Sequence, residues 1–146
     1  MFFFLNFEPN PPTVTHQQKK VAVVKGKPIF YESERLKNAR FDICAKLERF
    51  RPPKPLKCPI RLSVCWVFNN GKEGWRVERP DTDNLQKLLK DCLTATGFWK
   101  DDSYVVHEDV CKINSTGKHG ILVRIEEEEE WKGGESWRRF MRTEPL

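Results

Sequence analysis

Acidic side chains gather around one short segment of a basic chain. Asp81 and Asp83 open the stretch RPDTDNLQKLLKDCLTATGFWKDD, and Asp101 and Asp102 close it, whereas the whole chain carries a formal net charge of +5. Side chains two residues apart in an extended segment point the same way, so the first two carboxylates share a face. Carboxylates on one face repel each other unless a cation lies among them. The pattern is typical of a Mg²⁺ site, because Mg²⁺ takes one or two carboxylates together with waters and phosphate oxygens.

A metal held in this way would serve phosphodiester hydrolysis. It can activate a water and stabilise an in-line displacement at phosphorus. Lys87 follows Asp83 by one helical turn, where its ammonium group would face a phosphate or the developing charge. A structural interpretation stays open from the pattern alone: Asp83 as a helix N-cap with Gln86 as its capping-box partner, and the other acids in exposed turns.

The elements that must position these residues are those of a small α+β domain. Apolar residues at helical spacing predict a helix from Ser33 to the prolines of 51–55. They predict a second helix from about Asn84 to Thr96, ended by Gly97. Alternating or short apolar runs predict strands within 1–7, 21–24, 28–31, 58–68, 103–113 and 120–128. Residues 69–80 are predicted to form a loop.

Composition excludes several classes of protein. At 146 residues the chain is long enough for one domain with a real core. No apolar run approaches the ~18 residues that span a bilayer, and the apolar start has no basic region of a signal peptide, so we expect no membrane association and a cytoplasmic location. The five cysteines are odd in number and form no CxxC pair, and the three histidines are scattered. A zinc site or a disulfide framework is therefore not expected.

Charge is distributed unevenly along the chain. Basic residues dominate the first half, and acidic residues the second. A basic region beside a metal site suggests a polyanionic partner, with ordinary surface charge as the alternative. The predicted phosphate contacts are Lys19, Lys20, Arg76 and Arg79. Alternatively, Lys19 and Lys20 would keep the exposed edge of a hairpin from pairing with other strands.

Residues 79–106, RPDTDNLQKLLKDCLTATGFWKDDSYVV, resemble the signature of RusA-type Holliday-junction resolvases, including those carried by phages. That signature runs D-x-D-N-L-x-K, a helix with an internal Asp, G-x-W or G-x-x, then D-D and a strand. All of it appears here in order and at the expected spacing. The match is looser elsewhere, although residues 9–40 are similar to the phage-borne branch of the family.

The resemblance implies roles for individual side chains. The metal-binding carboxylates would be Asp81, Asp83 and Asp102, and the essential lysine would be Lys87. Supporting roles would fall to three more residues of the motif, Asp91, Asp101 and Asn84, the last ordering the turn.

The resemblance also implies a small mixed α/β subunit that acts as a homodimer. With Mg²⁺ or Mn²⁺ and no small-molecule cofactor, the dimer would nick two symmetric strands across a four-way DNA junction. The sequence itself, and not the resemblance, divides the chain into a domain of 1–130 and a tail of 131–146 that could contain a short helix. A broader nuclease for flaps or branched DNA in phage replication or packaging is an alternative that the sequence does not separate. A non-catalytic junction-binding protein is the other alternative, and the intact acids argue against it.

Overall fold

The computed structural model describes residues 1–14 and 20–130. The helices are α1 (Glu34–Leu47) and α2 (Thr82–Thr96). The strands are β1 (Phe2–Asn6), β2 (Lys20–Val24), β3 (Lys27–Tyr31), β4 (Ile60–Asn69), β5 (Gly74–Trp75), β6 (Val105–Ser115) and β7 (Gly120–Glu127). The predicted α+β class and both predicted helices are confirmed. The predicted tail, 131–146, lies outside the described residues.

Five strands form a mixed sheet in the order β1-β7-β4-β6-β5, and β2 pairs with β3 in a separate hairpin. The central strands β4 and β6 run parallel, whereas β7 is antiparallel to β4 and to β1. Parallel strands need a crossover, and α2 provides it here. The helix therefore begins beside the carboxyl ends of β4 and β6 and ends beside their amino ends.

The core lies between one face of the sheet and the two helices. Alternate residues of β4 point into it, as the period-two pattern predicts. The apolar side chains that β4 and α2 contribute to this core are Ile60, Leu62, Val64, Trp66, Phe68, Leu85, Leu88, Leu89, Cys92 and Leu93. Burial of each large apolar side chain contributes roughly 1.5–3 kcal/mol, so this contact fixes α2 on the sheet. None of the helices in the described part of the chain has the length and apolar character needed to cross a bilayer.

The start of α2 differs from the prediction. The helix begins at Thr82 with Asp81 as its N-cap residue, so the predicted capping box between Asp83 and Gln86 is wrong. The Gln86 side chain is buried, and its Oε1 accepts a hydrogen bond of 3.3 Å from Trp66 Nε1. Gln86 thus bonds to Trp66 of β4 and not to the backbone at the start of its own helix, because it lies on the buried side of α2 beside Leu85 and Leu89.

Two short elements were also missed. The predicted loop of 69–80 contains strand β5, which pairs with residues 113–114 of β6. The predicted strand at 103–113 begins instead with a 3₁₀ turn, Asp102–Tyr104, and β6 starts only at Val105. Both elements are too short for hydrophobic periodicity to indicate them.

Among the glycines in the described part of the chain, Gly120 is expected to be the least tolerant of substitution. A Cβ at this position would overlap the Leu5 carbonyl oxygen and the Phe4 ring, where β1 crosses the start of β7. Gly120→Ala should therefore lower the free energy of unfolding by roughly 1–3 kcal/mol, because the two strands must separate. Gly117→Ala is the matched control, since a Cβ there meets nothing within 4 Å. Urea unfolding of both variants measures the difference, and equal midpoints would contradict it.

Candidate active site

A lysine from the central sheet anchors the segment that leads into α2. After β5 the chain continues back along β6, and Arg76 N donates to Lys112 O at 3.1 Å. The Lys112 ammonium group donates to the carbonyl oxygens of Glu78 and Pro80 at 2.6 and 2.8 Å. These bonds fix the start of α2 beside the carboxyl end of β6.

The first two carboxylates project from that anchored start. Asp81 has extended backbone dihedrals and its side chain makes no capping hydrogen bond, while Asp83 lies in the first turn of α2. Both residues are exposed, and within residues 1–14 and 20–130 neither carboxylate has a hydrogen-bond or ion-pair partner. The positive end of the helix dipole favours negative charge at this position. The two acids are therefore held as a charged pair that is open to a ligand.

Lys87 lies one turn further along the same helix. Its Nζ is 3.6 Å from Asp91 Oδ1, in an i,i+4 ion pair, and its side chain is 61% exposed. Such a pair on a helix surface contributes only about 0.2–0.5 kcal/mol, so a stronger anion can replace Asp91 as the partner of Lys87. The ammonium group is available to a phosphate that approaches the exposed face of α2.

The two acids at the end of the motif have different surroundings. Asp101 Oδ1 accepts a hydrogen bond of 2.8 Å from Ser103 N and so caps the 3₁₀ turn. Hydrogen bonds from Ser103, through its side chain and then its backbone, lower the pKa of Asp101. Asp102 is exposed, and its carboxylate has no hydrogen-bond or ion-pair partner in the described part of the chain. Asp101 is thus used in the fold, whereas Asp102 is free to bind a ligand.

One chain does not bring the three predicted metal ligands together. Asp81 and Asp83 lie at the start of α2, while Asp102 follows its end and precedes β6. At the carboxyl end of α2, Trp99 forms an isolated parallel β-bridge with Leu56, which lies just before β4. Among residues 1–14 and 20–130, no three His, Cys, Asp or Glu side chains are placed to hold a metal ion. The single chain therefore does not fit a three-carboxylate metal site.

The predicted DNA-contacting residues fall into three groups. Arg76 is engaged inside the fold: its side chain is 15% exposed, its guanidinium carbon lies 4.2 Å from the centroid of the Phe68 ring, and Nη1 donates to Asn114 Oδ1 at 3.2 Å. Lys20 and Arg79 are exposed. Lys19 lies outside the described residues. The geometry favours Lys20 and Arg79 over Arg76 as phosphate contacts.

A family model for the endodeoxyribonuclease RusA matches residues 9–126 of this chain. The chain belongs to the RusA family. It is 32% identical over 133 residues to the crossover junction endodeoxyribonuclease RusA of Lactococcus phage r1t, an alignment that covers 87% of this chain and 99% of that protein. It is 53% identical over 38 residues to the crossover junction endodeoxyribonuclease RusA of Escherichia coli strain K12, which covers 26% of this chain and 32% of that protein.

The RusA match includes both helices and both ends of the acidic motif. It therefore covers the structure that positions the candidate carboxylates, and it ends within β7. Lys112 is the residue of this site that sequence reasoning missed. In the sequence, one lysine on an alternating strand cannot be distinguished from an ordinary solvent-exposed lysine. Its role is visible only in the structure, where residues 76–80 run back along β6 and accept its hydrogen bonds.

Proposed function

We propose that this protein is a crossover junction endodeoxyribonuclease that resolves four-way DNA junctions by paired, symmetric nicks. Membership of the RusA family over residues 9–126, with the complete acidic motif inside the match, is the observation that carries the proposal. The Lactococcus phage relative, whose alignment covers 87% of the chain, is named a crossover junction endodeoxyribonuclease, and this is the proposed activity. The exposed carboxylates of Asp81, Asp83 and Asp102, none of them used in the fold, support a catalytic role for the motif.

Mg²⁺, with Mn²⁺ as a substitute, is the proposed cofactor. Asp81, Asp83 and Asp102 are its proposed ligands, supplied by the two chains of a proposed homodimer because one chain does not bring the three together. A bound divalent cation supplies charge stabilisation at phosphorus and an activated water. Lys87 neutralises a non-bridging phosphate oxygen from the same face of α2. Asp91 keeps the Lys87 side chain extended along the helix when DNA is absent. Asp101 holds the turn that presents Asp102, and Asn84 orders the first turn of α2.

Cleavage of defined substrates tests this function. A synthetic mobile four-way junction, a flap and a plain duplex of the same sequence are each incubated with the protein, with and without Mg²⁺. We expect symmetric nicks in the junction when Mg²⁺ is present and none when it is absent. The plain duplex should stay uncut. Equal cutting of the flap would instead identify the broader branched-DNA nuclease. Tight junction binding with no cleavage in Mg²⁺ or Mn²⁺ would identify a binding protein and overturn the proposal.

The salt dependence of junction binding should separate the two classes of predicted DNA contact. Loss of one phosphate contact flattens the slope of log K against log[salt] by about 0.9. Arg79→Ala and Lys20→Ala are each expected to show this change. Arg76→Ala should leave the slope unaltered and lower the stability instead, because it removes the contacts with Phe68 and Asn114. Binding titrations across a salt series measure the slopes, and an unaltered slope for Arg79→Ala would remove that residue from the interface.

A further inference from the structure

The hairpin β2–β3 is largely uncovered in the described part of the chain. Its two strands pair only with each other there, and neither joins the five-stranded sheet. A two-stranded hairpin on its own is at best marginally stable in water. Large exposed apolar side chains are nevertheless concentrated on it, namely Val21, Val23, Val24, Ile29, Phe30 and Tyr31. Such a surface indicates a contact with another molecule.

One face of the hairpin is wholly apolar. Residues opposite each other on paired strands project to the same face. Val21 lies opposite Phe30, and Val23 lies opposite Pro28. The exposed fractions are 55% for Val21, 73% for Val23 and 66% for Phe30, and Pro28 is exposed as well. These four side chains form what we call the apolar face.

Lysines border the apolar face. On the other face, Lys20 lies opposite Tyr31 at one end and Lys27 lies opposite Val24 at the other, while Lys25 is in the turn. Residues 20–31 contain these three lysines and no acidic residue. Protein–protein interfaces are depleted in lysine, whereas interfaces with DNA are strongly positive. The charge of the hairpin therefore favours DNA over another protein as its partner.

Helices α1 and α2 lie side by side and run in the same direction. Cys44 Sγ of α1 is 3.9 Å from Cys92 O of α2. Past the ends of the helices, the centroid of the Phe3 ring is 4.5 Å from that of Phe50 and 5.9 Å from that of Phe98. Since Phe50 follows α1 and Phe98 follows α2, both helices end at the same side of the core. Each helix begins ten residues, or about 15 Å, before the cysteine contact, so both begin at the opposite side.

The hairpin therefore lies at the end of the molecule that carries Asp81 and Asp83. Strand β3 leads into α1 with only two residues between them. The second of these, Ser33, is buried and caps the helix, since its Oγ accepts a hydrogen bond of 3.2 Å from Leu36 N. The base of the hairpin is thus fixed at the start of α1. A DNA phosphate that reaches the two acids would bring the adjoining duplex toward this hairpin.

We propose that the hairpin β2–β3 is a DNA-binding ribbon that contacts the junction beside the scissile phosphate. This inference rests on the proposed function. The lysines neutralise backbone phosphates, and the apolar face packs on deoxyribose and base surfaces. Phenylalanine and proline are among the side chains that proteins insert between base steps, and the apolar face carries one of each, Phe30 and Pro28. A face without donors or acceptors recognises the shape of the DNA and not its sequence.

The salt dependence of binding separates the two kinds of contact. A four-way junction is titrated across a salt series without divalent cation, so that no cleavage intervenes. Lys27→Ala should flatten the slope of log K against log[salt] by about 0.9, as the loss of one phosphate contact does. Val23→Ser/Phe30→Ser should instead lower the affinity at least about tenfold at every salt concentration and leave the slope unaltered, because it removes apolar contact and no charge. An unaltered affinity of this double variant would overturn the inference.

Phe41→Ser is the matched control, because Phe41 is 77% exposed but lies on α1, outside the hairpin. It should bind the junction like wild type, and a loss equal to that of the double variant would contradict a specific role of the hairpin. In sedimentation the double variant should match the wild type. A smaller species would show that the apolar face covers another protein chain, which would also overturn the inference. Hairpin-dependent binding by a wild-type protein that does not cut in Mg²⁺ would count against the proposed function alone.

Hydrogen exchange gives a second readout that needs neither activity nor substitution. The uncovered hairpin should exchange its amide hydrogens rapidly in the free protein. Saturation with the junction should slow exchange across residues 20–31, because the DNA covers the ribbon. The buried strand β4 is the internal reference and should exchange equally slowly in both states. Unchanged exchange across 20–31 in the complex would contradict the proposed contact.

Discussion

Replacement of Asp81, Asp83 or Asp102 with Asn is expected to reduce junction cleavage by orders of magnitude and to leave junction binding intact or tighter. Asn keeps the shape of the side chain but removes a negative charge and a metal ligand. The activated water would be lost with the metal, and cleavage with it. Binding survives because one negative charge that faces the phosphates has been removed. Gel-shift and cleavage assays on the same junction, with Mg²⁺, measure both effects.

Asp101→Asn is the matched control for these three variants. Asp101 caps the 3₁₀ turn through Ser103, and Asn caps about as well as Asp, so the control should cut at close to the wild-type rate. All four variants should keep the wild-type stability, because Asn preserves the cap at position 101 and the side chains of Asp81, Asp83 and Asp102 make no described bond whose loss would destabilise the fold. A folded Asp81→Asn or Asp83→Asn protein that cuts junctions normally would overturn the catalytic assignment.

Lys87→Ala is expected to lower the cleavage rate by about 10²–10³-fold, with a small loss of junction binding. Removal of one preorganised charge that faces a developing anion has effects of this size. The binding loss should be small, because one exposed lysine supplies only one of several phosphate contacts. Single-turnover cleavage at saturating protein measures the effect on the chemical step alone.

Lys46→Ala on α1 provides the control. Lys46 Nζ lies 3.6 Å from Asp42 Oδ1, in an i,i+4 pair with the same separation as that of Lys87 and Asp91. Both substitutions remove a helix ion pair worth little stability, and Lys46→Ala also removes a contact of 5.0 Å between Lys46 Nζ and the Phe7 ring centroid, so it should cost slightly more stability than Lys87→Ala. Equal cleavage by the two variants would show that Lys87 contributes nothing beyond surface charge.

Much of the fold could be predicted from local sequence patterns. The leucine spacing of α2 and the alternation of β4 each depend on one face buried against a neighbour, and both patterns survive in the structure. The hairpin was predicted from two short apolar runs around a glycine, and Lys25 and Gly26 both take the positive φ that such a tight turn needs. These features are local, so the sequence carries them directly.

The candidate site was only partly readable, because its remaining features depend on long-range packing. The motif spacing gave the acids but not the span between Asp83 and Asp102, which follows from the parallel pairing of β4 and β6. The buried position of Arg76 depends on Phe68 and Asn114, residues from two different strands. Neither the span nor these contacts produce a periodic pattern in the sequence.

The anchoring of the acidic motif by Lys112 has a consequence for how this nuclease can evolve. Both oxygens that Lys112 holds belong to the main chain, at Glu78 and Pro80, so the position of the motif does not depend on which side chains the preceding loop carries. The exposed side chains of Trp75, in β5, and Val77, just after it, can therefore change without displacing the carboxylates. Sequence change between β5 and α2 is therefore separated from the geometry of the acidic motif, so this segment can diverge while the placement of the carboxylates is retained.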